Sequence, residues 1–167
     1  MILALEEHPD GVATGPGNRV VYDLEAGEAH FGAARVDRHA LVWELSSEPG
    51  PGAWVLRCDR VDFPPGGIAY RHVHPGPGIR RILVGELTVD RGEGDVRTYR
   101  AGESWYEAAN DPVVARASAS EDTSFVRVML LPAEWAGLRT IHYLDPADEA
   151  KPRLQRATVL LEEPLRT

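Results

Sequence analysis

Apolar positions along this chain recur in short runs with a period of two, the spacing of strands rather than helices. Residues 19–24, 41–45, 54–63, 68–74, 79–84, 87–90, 96–99, 104–107, 113–117 and 125–131 each read as a strand. Clusters of Gly, Pro, Asn or Ser/Asp bound them. In 41–45, Leu41, Trp43 and Leu45 share one face, while Val42 and Glu44 take the other. In 54–63, Trp54, Leu56 and Cys58 alternate before the apolar phase slips to Val61 and Phe63, which predicts a bulge near Arg60. Residues 91–95 read as a hairpin connection. Only 132–138 resembles a helical turn, and 140–144 and 156–161 add two later strands. Residues 1–18, rich in Gly and Pro and without periodicity, predict an irregular arm. No repeat or linker divides the chain, so the pattern predicts one all-β domain over residues 1–167, a sandwich or barrel.

Composition narrows the function classes. A chain of 167 residues suits one domain with a proper core. A net charge of -8 and a pI near 5.2 argue against a nucleic-acid or anionic-membrane partner. No apolar run is long enough to span a bilayer, and the opening residues MILALEEHPD lack a basic leader region. Cytoplasmic residence is the expectation. The lone cysteine, Cys58, excludes an internal disulfide framework and reads as a small buried hydrophobe.

The stretch 66–89, GGIAYRHVHPGPGIRRILVGELTV, carries the candidate chemistry. On an unbroken strand Ile68, Tyr70, His72 and His74 share one face, and two imidazoles so placed can reach one metal ion. The other reading of a His-x-His pair is a solvated surface strand. Pro75-Gly76-Pro77-Gly78 ends this strand, and Gly85-Glu86 marks the turn after the next one.

Gly66, five residues, His72, one residue, His74 and later Gly85 resemble the first cupin motif. Gly94, Gly102 and the strand that follows resemble the second. The resemblance covers residues 57–132 and implies a cupin-type antiparallel jelly-roll β-barrel. It departs from the family at ligand positions. Gly78 stands where the family has a glutamate and Trp105 where it has the second-motif histidine. Arg100 replaces the proline, and Ala109 the asparagine.

In such a barrel alternate residues line the interior, so Arg80, Ile82, Val84, Trp105 and Glu107 are expected to point inward with the two histidines. The resemblance implies one divalent transition-metal ion (Zn, Fe, Mn or Ni) on His72 and His74, with Glu107 replacing the absent ligands. Glu107 could instead act as a general base or be ion-paired scaffolding. Arg80 could bind a substrate carboxylate or enolate, or pair with Glu107. Glu107 and Arg80 are therefore the candidate catalytic residues, and Tyr70, Arg80 and Trp105 the candidate substrate contacts. His142 reads as a surface histidine rather than a remote third ligand, and His8, His30 and His39 read as surface residues. No Ser-His-Asp order, nucleotide-binding glycine fingerprint or Cys-x-x-Cys is present.

These features imply a metal-dependent cupin enzyme acting on a small oxygenated metabolite. Lyase, isomerase or cyclase chemistry through an enolate-like intermediate is the expectation, compatible with biosynthetic tailoring. The alternatives are a non-catalytic binding module for a small acid or sugar-like ligand, a cupin dioxygenase, and a structural dimer with a filled barrel. A homodimer is expected because the two C-terminal strands could cover a neighbour's edge.

Overall fold

The run TSFVRVMLLP shows little polar alternation because the strand it forms is covered on both faces. In the computed structural model, which describes residues 5–8, 18–32, 39–46 and 51–165, this strand is β12 (Thr123–Pro132), buried at nine of its ten positions. It is the central strand of a five-stranded antiparallel sheet. Around it lie β10 (Ser104–Glu107), β7 (Gly78–Val84), β5 (Trp54–Phe63) and β14 (Arg156–Pro164), in the order β10-β7-β12-β5-β14.

One face of this sheet packs on a four-stranded sheet of β1 (Leu5–His8), β2 (Arg19–Asp23), β3 (Glu28–Phe31) and β4 (Ala40–Leu45). Val20, Tyr22, Leu41 and Trp43 meet Leu56, Cys58, Val126, Val128 and Leu130 there. Burying each such aliphatic side chain contributes about 1.5–3 kcal/mol. The opposite face packs on the third sheet. Its strands are β6 (Ile68–Val73), β8 (Glu86–Asp90), β9 (Val96–Arg100), β11 (Val113–Ala117) and β13 (His142–Tyr143), in the order β13-β6-β11-β8-β9. Val61, Phe63, Ile82 and Phe125 meet Ala69, Leu87, Val89, Val113 and Ala115 between them. These two five-stranded sheets form the antiparallel jelly roll expected from the sequence, and the candidate site lies between them.

This layering corrects the bulge expected near Arg60. β5 pairs with β12 residue for residue from Trp54 to Phe63 without a shift. Leu56 and Cys58 face one neighbouring layer while Val61 and Phe63 face the other, so the apolar phase changes although the backbone does not. The irregularity lies instead on β14, between Val159 and Leu161. On β7 the register shifts against Ser124 and Phe125. The inward alternation therefore holds for Arg80 and Ile82 and fails at Val84, which is 54% exposed.

Three terminal expectations also change. Within 1–18, Leu5–His8 is a strand paired with β4; residues 1–4 and 9–17 lie outside the described residues. The expected strand 140–144 narrows to His142–Tyr143, and 156–161 extends to Pro164. The turn at 132–138 holds a 3-10 helix, Ala133–Trp135. A one-turn helix, α1 (Pro146–Glu149), follows Asp145, whose carboxylate accepts from the Ala147 amide at 2.9 Å.

Candidate functional site

The strand carrying the two histidines is not regular. Against β11, Ala69 pairs with Ala115 and His72 with Val113, so three steps on β6 match two on its partner. The extra residue interrupts the period of two. As a result Ala69, His72 and His74 all line one cavity. Tyr70, expected as a wall of that cavity, is corrected: it is half-buried outside the lining, with the Lys151 ammonium 4.2 Å from its ring centroid.

Both imidazoles are held by backbone carbonyls. His72 Nδ1 lies 2.6 Å from the Tyr70 oxygen, and His74 Nδ1 lies 2.8 Å from the Thr140 oxygen. A carbonyl can only accept, so each Nδ1 carries the proton and each Nε2 keeps its lone pair in the neutral ring. Burial favours that neutral form: it lowers the His72 pKa to about 4, and it lowers that of His74 as well, aided by the Arg127 and Arg80 charges. The rings meet edge to face at 4.9 Å between centroids.

Facing them, β7 and β10 bring together Arg80, Trp105 and Glu107. Trp105 pairs with Arg80 and Glu107 with Gly78 in the strand register. Glu107 Oε1 accepts from Trp105 Nε1 at 2.7 Å, and Oε2 lies 2.8 Å from Arg80 Nη2. The Arg80 contact is an ion pair without hydrogen-bond alignment, since Nη2 finds no directed acceptor. Arg80 Nη1 donates to the Gly78 carbonyl at 2.7 Å. Burial alone would raise the Glu107 pKa, but Arg80 and the Trp105 hydrogen bond outweigh it and hold the carboxyl below its ordinary value. Burial lowers the Arg80 pKa to about 10, which leaves the guanidinium charged near neutral pH. Trp105 stacks on Tyr99 at 4.7 Å and meets Phe125 edge-on.

The sequence reading missed a second arginine. Arg127 Nε and Nη2 donate to Asp59 Oδ2 at 3.0 and 2.9 Å, and Nη2 also reaches Thr140 Oγ1 at 3.2 Å. Its Nη1 reaches His74 Nε2 at 3.4 Å. Asp59 is fully buried and also accepts from Arg57 Nε at 2.9 Å through Oδ1. The available signal was charge inside apolar strands: Arg127 in SFVRVML, and Arg57 with Asp59 two residues apart in VLRCDRV. Cross-strand pairing of Asp59 with Arg127 is what joins them.

The cavity they line measures about 190 Å3, and Val61, Phe63 and Phe125 form its apolar side. That is the room of about six waters, which suits a small metabolite rather than a polymer. Arg139 and Arg153 stand in its lining as well, and both pair with Glu149 on α1. His142 lies outside the lining, packed edge-on against Trp135. His8 and His30 lie 3.6 and 3.8 Å from Glu44 and Glu28 respectively. Cys58 is fully buried, and burial pushes its thiol pKa up, as a small core residue requires.

The expected metal set of His72, His74 and Glu107 is not assembled as a ligand group. Among the described residues no three His, Cys, Asp or Glu side chains are placed to hold a metal ion. Both Glu107 oxygens are engaged, and a guanidinium stands against the His74 lone pair. At Gly78, where the family resemblance places a glutamate, even a Cβ would come within 2.4 Å of the Val128 carbonyl oxygen and 2.9 Å of Met129 Cγ. Two imidazoles remain as donors, too few for a structural tetrahedral site. The residues present do not fit a resident divalent ion.

No helix among the described residues is long and apolar enough to cross a membrane. Residues 59–129 match the family model of the cupin domain. No curated protein matches the sequence. Among solved structures, the polyketide cyclase RemF from Streptomyces resistomycificus is 15% identical, with 57% of this chain and 63% of RemF covered and a TM-score of 0.44. An oxalate oxidase is 24% identical over 48% of this chain and 47% of its own, with a TM-score of 0.41. An RmlC-like cupin from Shewanella frigidimarina NCIMB 400 is 18% identical over 52% of this chain and 84% of its own, also at 0.41. The chain thus spans less than two thirds of RemF and about half of the oxalate oxidase. The family match runs from β5 to β12 and takes in both motifs, His72, His74, Arg80, Trp105, Glu107 and Arg127, so this part of the chain is similar to a cupin domain.

Proposed function

We propose that this protein binds a small oxygenated metabolite between its two five-stranded sheets and moves a proton on it through an enolate-like form. Lyase, isomerase or cyclase chemistry is of that kind. The observation that carries the reading is the convergence, in one cavity, of an open imidazole acceptor with two guanidinium groups. Among the described residues His72 Nε2 has no hydrogen-bond partner, and it is the atom available to take a proton from a carbon next to a carbonyl. Guanidinium N–H groups of Arg80 and Arg127 then stabilise the charge that develops on the carbonyl oxygen, in a site where low polarity strengthens that interaction. In the free protein His72 is a weak base, at about 4. A bound anion beside it favours the imidazolium and raises its pKa toward the working range of a general base. Glu107, ionised and oriented by Arg80 and Trp105, acts as a counter-charge for His72 rather than as the base itself.

A binding module for a small acid is the second reading. It is favoured by the same electrostatics, since neither His72 nor Glu107 is tuned toward neutrality before ligand enters. Exchange of carbon-bound hydrogen in a panel of small oxo and hydroxy acids in D2O, followed by NMR, separates the two. Wild-type protein should catalyse exchange on at least one, and His72→Gln should abolish exchange while retaining binding. Ligand binding without any exchange assigns the chain to the binding module. The metal-dependent reading retains only one feature, the anchoring of both Nδ1 atoms to carbonyls. Stoichiometric metal lost in the His72→Ala/His74→Ala double variant would establish that reading in place of this one. Homodimer formation through the nine-residue edge strand β14 is a further expectation, checked by sedimentation at high concentration.

A further inference from the structure

The charges inside the barrel do not balance. Arg57, Arg80 and Arg127 are buried cations, Asp59 and Glu107 are buried carboxylates, and His72 and His74 are neutral. Glu162 reaches Arg57 only from β14, at 3.4 Å, with its side chain 20% exposed. Asp59 is shared between Arg57 and Arg127, so neither has it alone. A buried cation without a full counter-charge is costly, and an anion entering the cavity relieves it.

The donors are placed to receive one. Arg127 has five N–H groups. Those on Nε and Nη2 are taken by Asp59 and Thr140, and one on Nη1 by His74. The second Nη1 hydrogen has no acceptor among the described residues, and Arg80 Nη2 has no directed hydrogen bond. Both arginines line the cavity. Two neutral acceptors remain in the lining, His72 Nε2 and Gln155 Oε1, the latter buried without a partner among the described residues. A cationic donor pair facing neutral acceptors describes a ligand carrying a carboxylate and a hydroxyl, and His72 Nε2 is the acceptor on the same wall as Arg127's neighbour His74.

We propose that the Arg127 guanidinium, fixed by Asp59, is the resident cation of this cavity in place of a metal ion, and that it holds the carboxylate of a small hydroxy acid whose hydroxyl donates to His72 Nε2. This rests on the reading of the cavity as the ligand site and narrows it to one substrate class. Asp59 is then a positioning residue: it holds Arg127 by two hydrogen bonds and leaves the Nη1 edge to the ligand.

The test uses full-length wild-type protein dialysed against a chelator and titrated by calorimetry with lactate, propionate and lactamide. Lactate should bind, and propionate (no hydroxyl) and lactamide (no charge) should each bind about tenfold or more weakly, as loss of a charge-assisted hydrogen bond implies. Adding ZnCl2 or MnCl2 should leave the lactate affinity unchanged. Arg127→Met should abolish lactate binding and Arg127→Lys should retain part of it. If Arg127→Met fails to fold, the wild-type comparison of three ligands still decides. Lactate binding that appears only with added metal overturns the proposal. So does lactamide binding as tightly as lactate, or no binding by any of the three. Ala69→Phe, which fills the cavity, separates this failure from that of the broader reading. Ligand binding lost in Ala69→Phe but blind to charge keeps the cavity and removes the hydroxy acid. Ligand binding untouched by Ala69→Phe removes the cavity as the site.

Discussion

Replacing Asp59 with alanine tests whether the buried charge network is a structural necessity. The carboxylate has no exposure and receives Arg57 Nε at 2.9 Å, Arg127 Nε at 3.0 Å and Arg127 Nη2 at 2.9 Å. Removing one partner of a buried ion pair costs about 3–5 kcal/mol, because the other charge is left without compensation. Arg57 keeps the Leu138 carbonyl at 2.7 Å and Glu162 at 3.4 Å, whereas Arg127 keeps only Thr140 and His74. The loss therefore falls mainly on Arg127, and it is a large share of the roughly 5–15 kcal/mol that stabilises a domain. In urea, where the slope is about 1–3 kcal/mol per molar, the midpoint should fall by about 2 M with the slope unchanged. The Asp59→Leu/Arg127→Met pair, which removes both charges and keeps similar bulk, should recover most of that loss, because desolvation of the ion pair is removed with it. If Asp59→Ala alone lies within about 1 kcal/mol of wild type, the network is dispensable and the reasoning is wrong.

Other outcomes follow from the same geometry. Gly78→Ala should destabilise by about 1–3 kcal/mol in urea denaturation, since its Cβ would sit 2.4 Å from the Val128 oxygen; an unchanged midpoint would refute the close approach. Acidification should unfold the protein through its buried histidines. His72 titrates near 4 when folded against 6.5 otherwise, so the unfolded state binds more protons between those values. Stability should be complete above about pH 6.5 and fall by about 3 kcal/mol toward pH 4 from His72 alone, with His74 adding in the same sense. A flat stability curve from pH 7 to 4 would contradict burial of neutral imidazoles. Trp105→Phe removes a 2.7 Å donor from Glu107 Oε1 and should raise the carboxyl pKa, read as its infrared or NMR titration moving upward; no movement would show that Arg80 alone sets the value.

The period of two and the turn residues were enough to establish an all-β chain with most of its strands, because each strand must expose its pattern locally. β5, β10 and β11 fall on the expected residues. The His pair and the flanking glycines likewise marked the cavity strand before any packing was known. What the pattern could not carry was where it breaks. The extra residue on β6 moves Ala69 into the cavity and Tyr70 out of it, and the shift on β7 turns Val84 to solvent. Both depend on hydrogen bonds to a partner strand distant in sequence. The change of apolar phase in β5 looked like a bulge because one strand cannot show that two further layers cover its faces. Arg127 and Asp59 are 68 residues apart and meet only through the β5–β12 register. Gly78 read as a missing ligand in the sequence, whereas the fold shows a backbone carbonyl closing on it. Residue types set which chemistry was available, and the pairing of distant strands decided that a guanidinium, rather than a third ligand, faces the histidines.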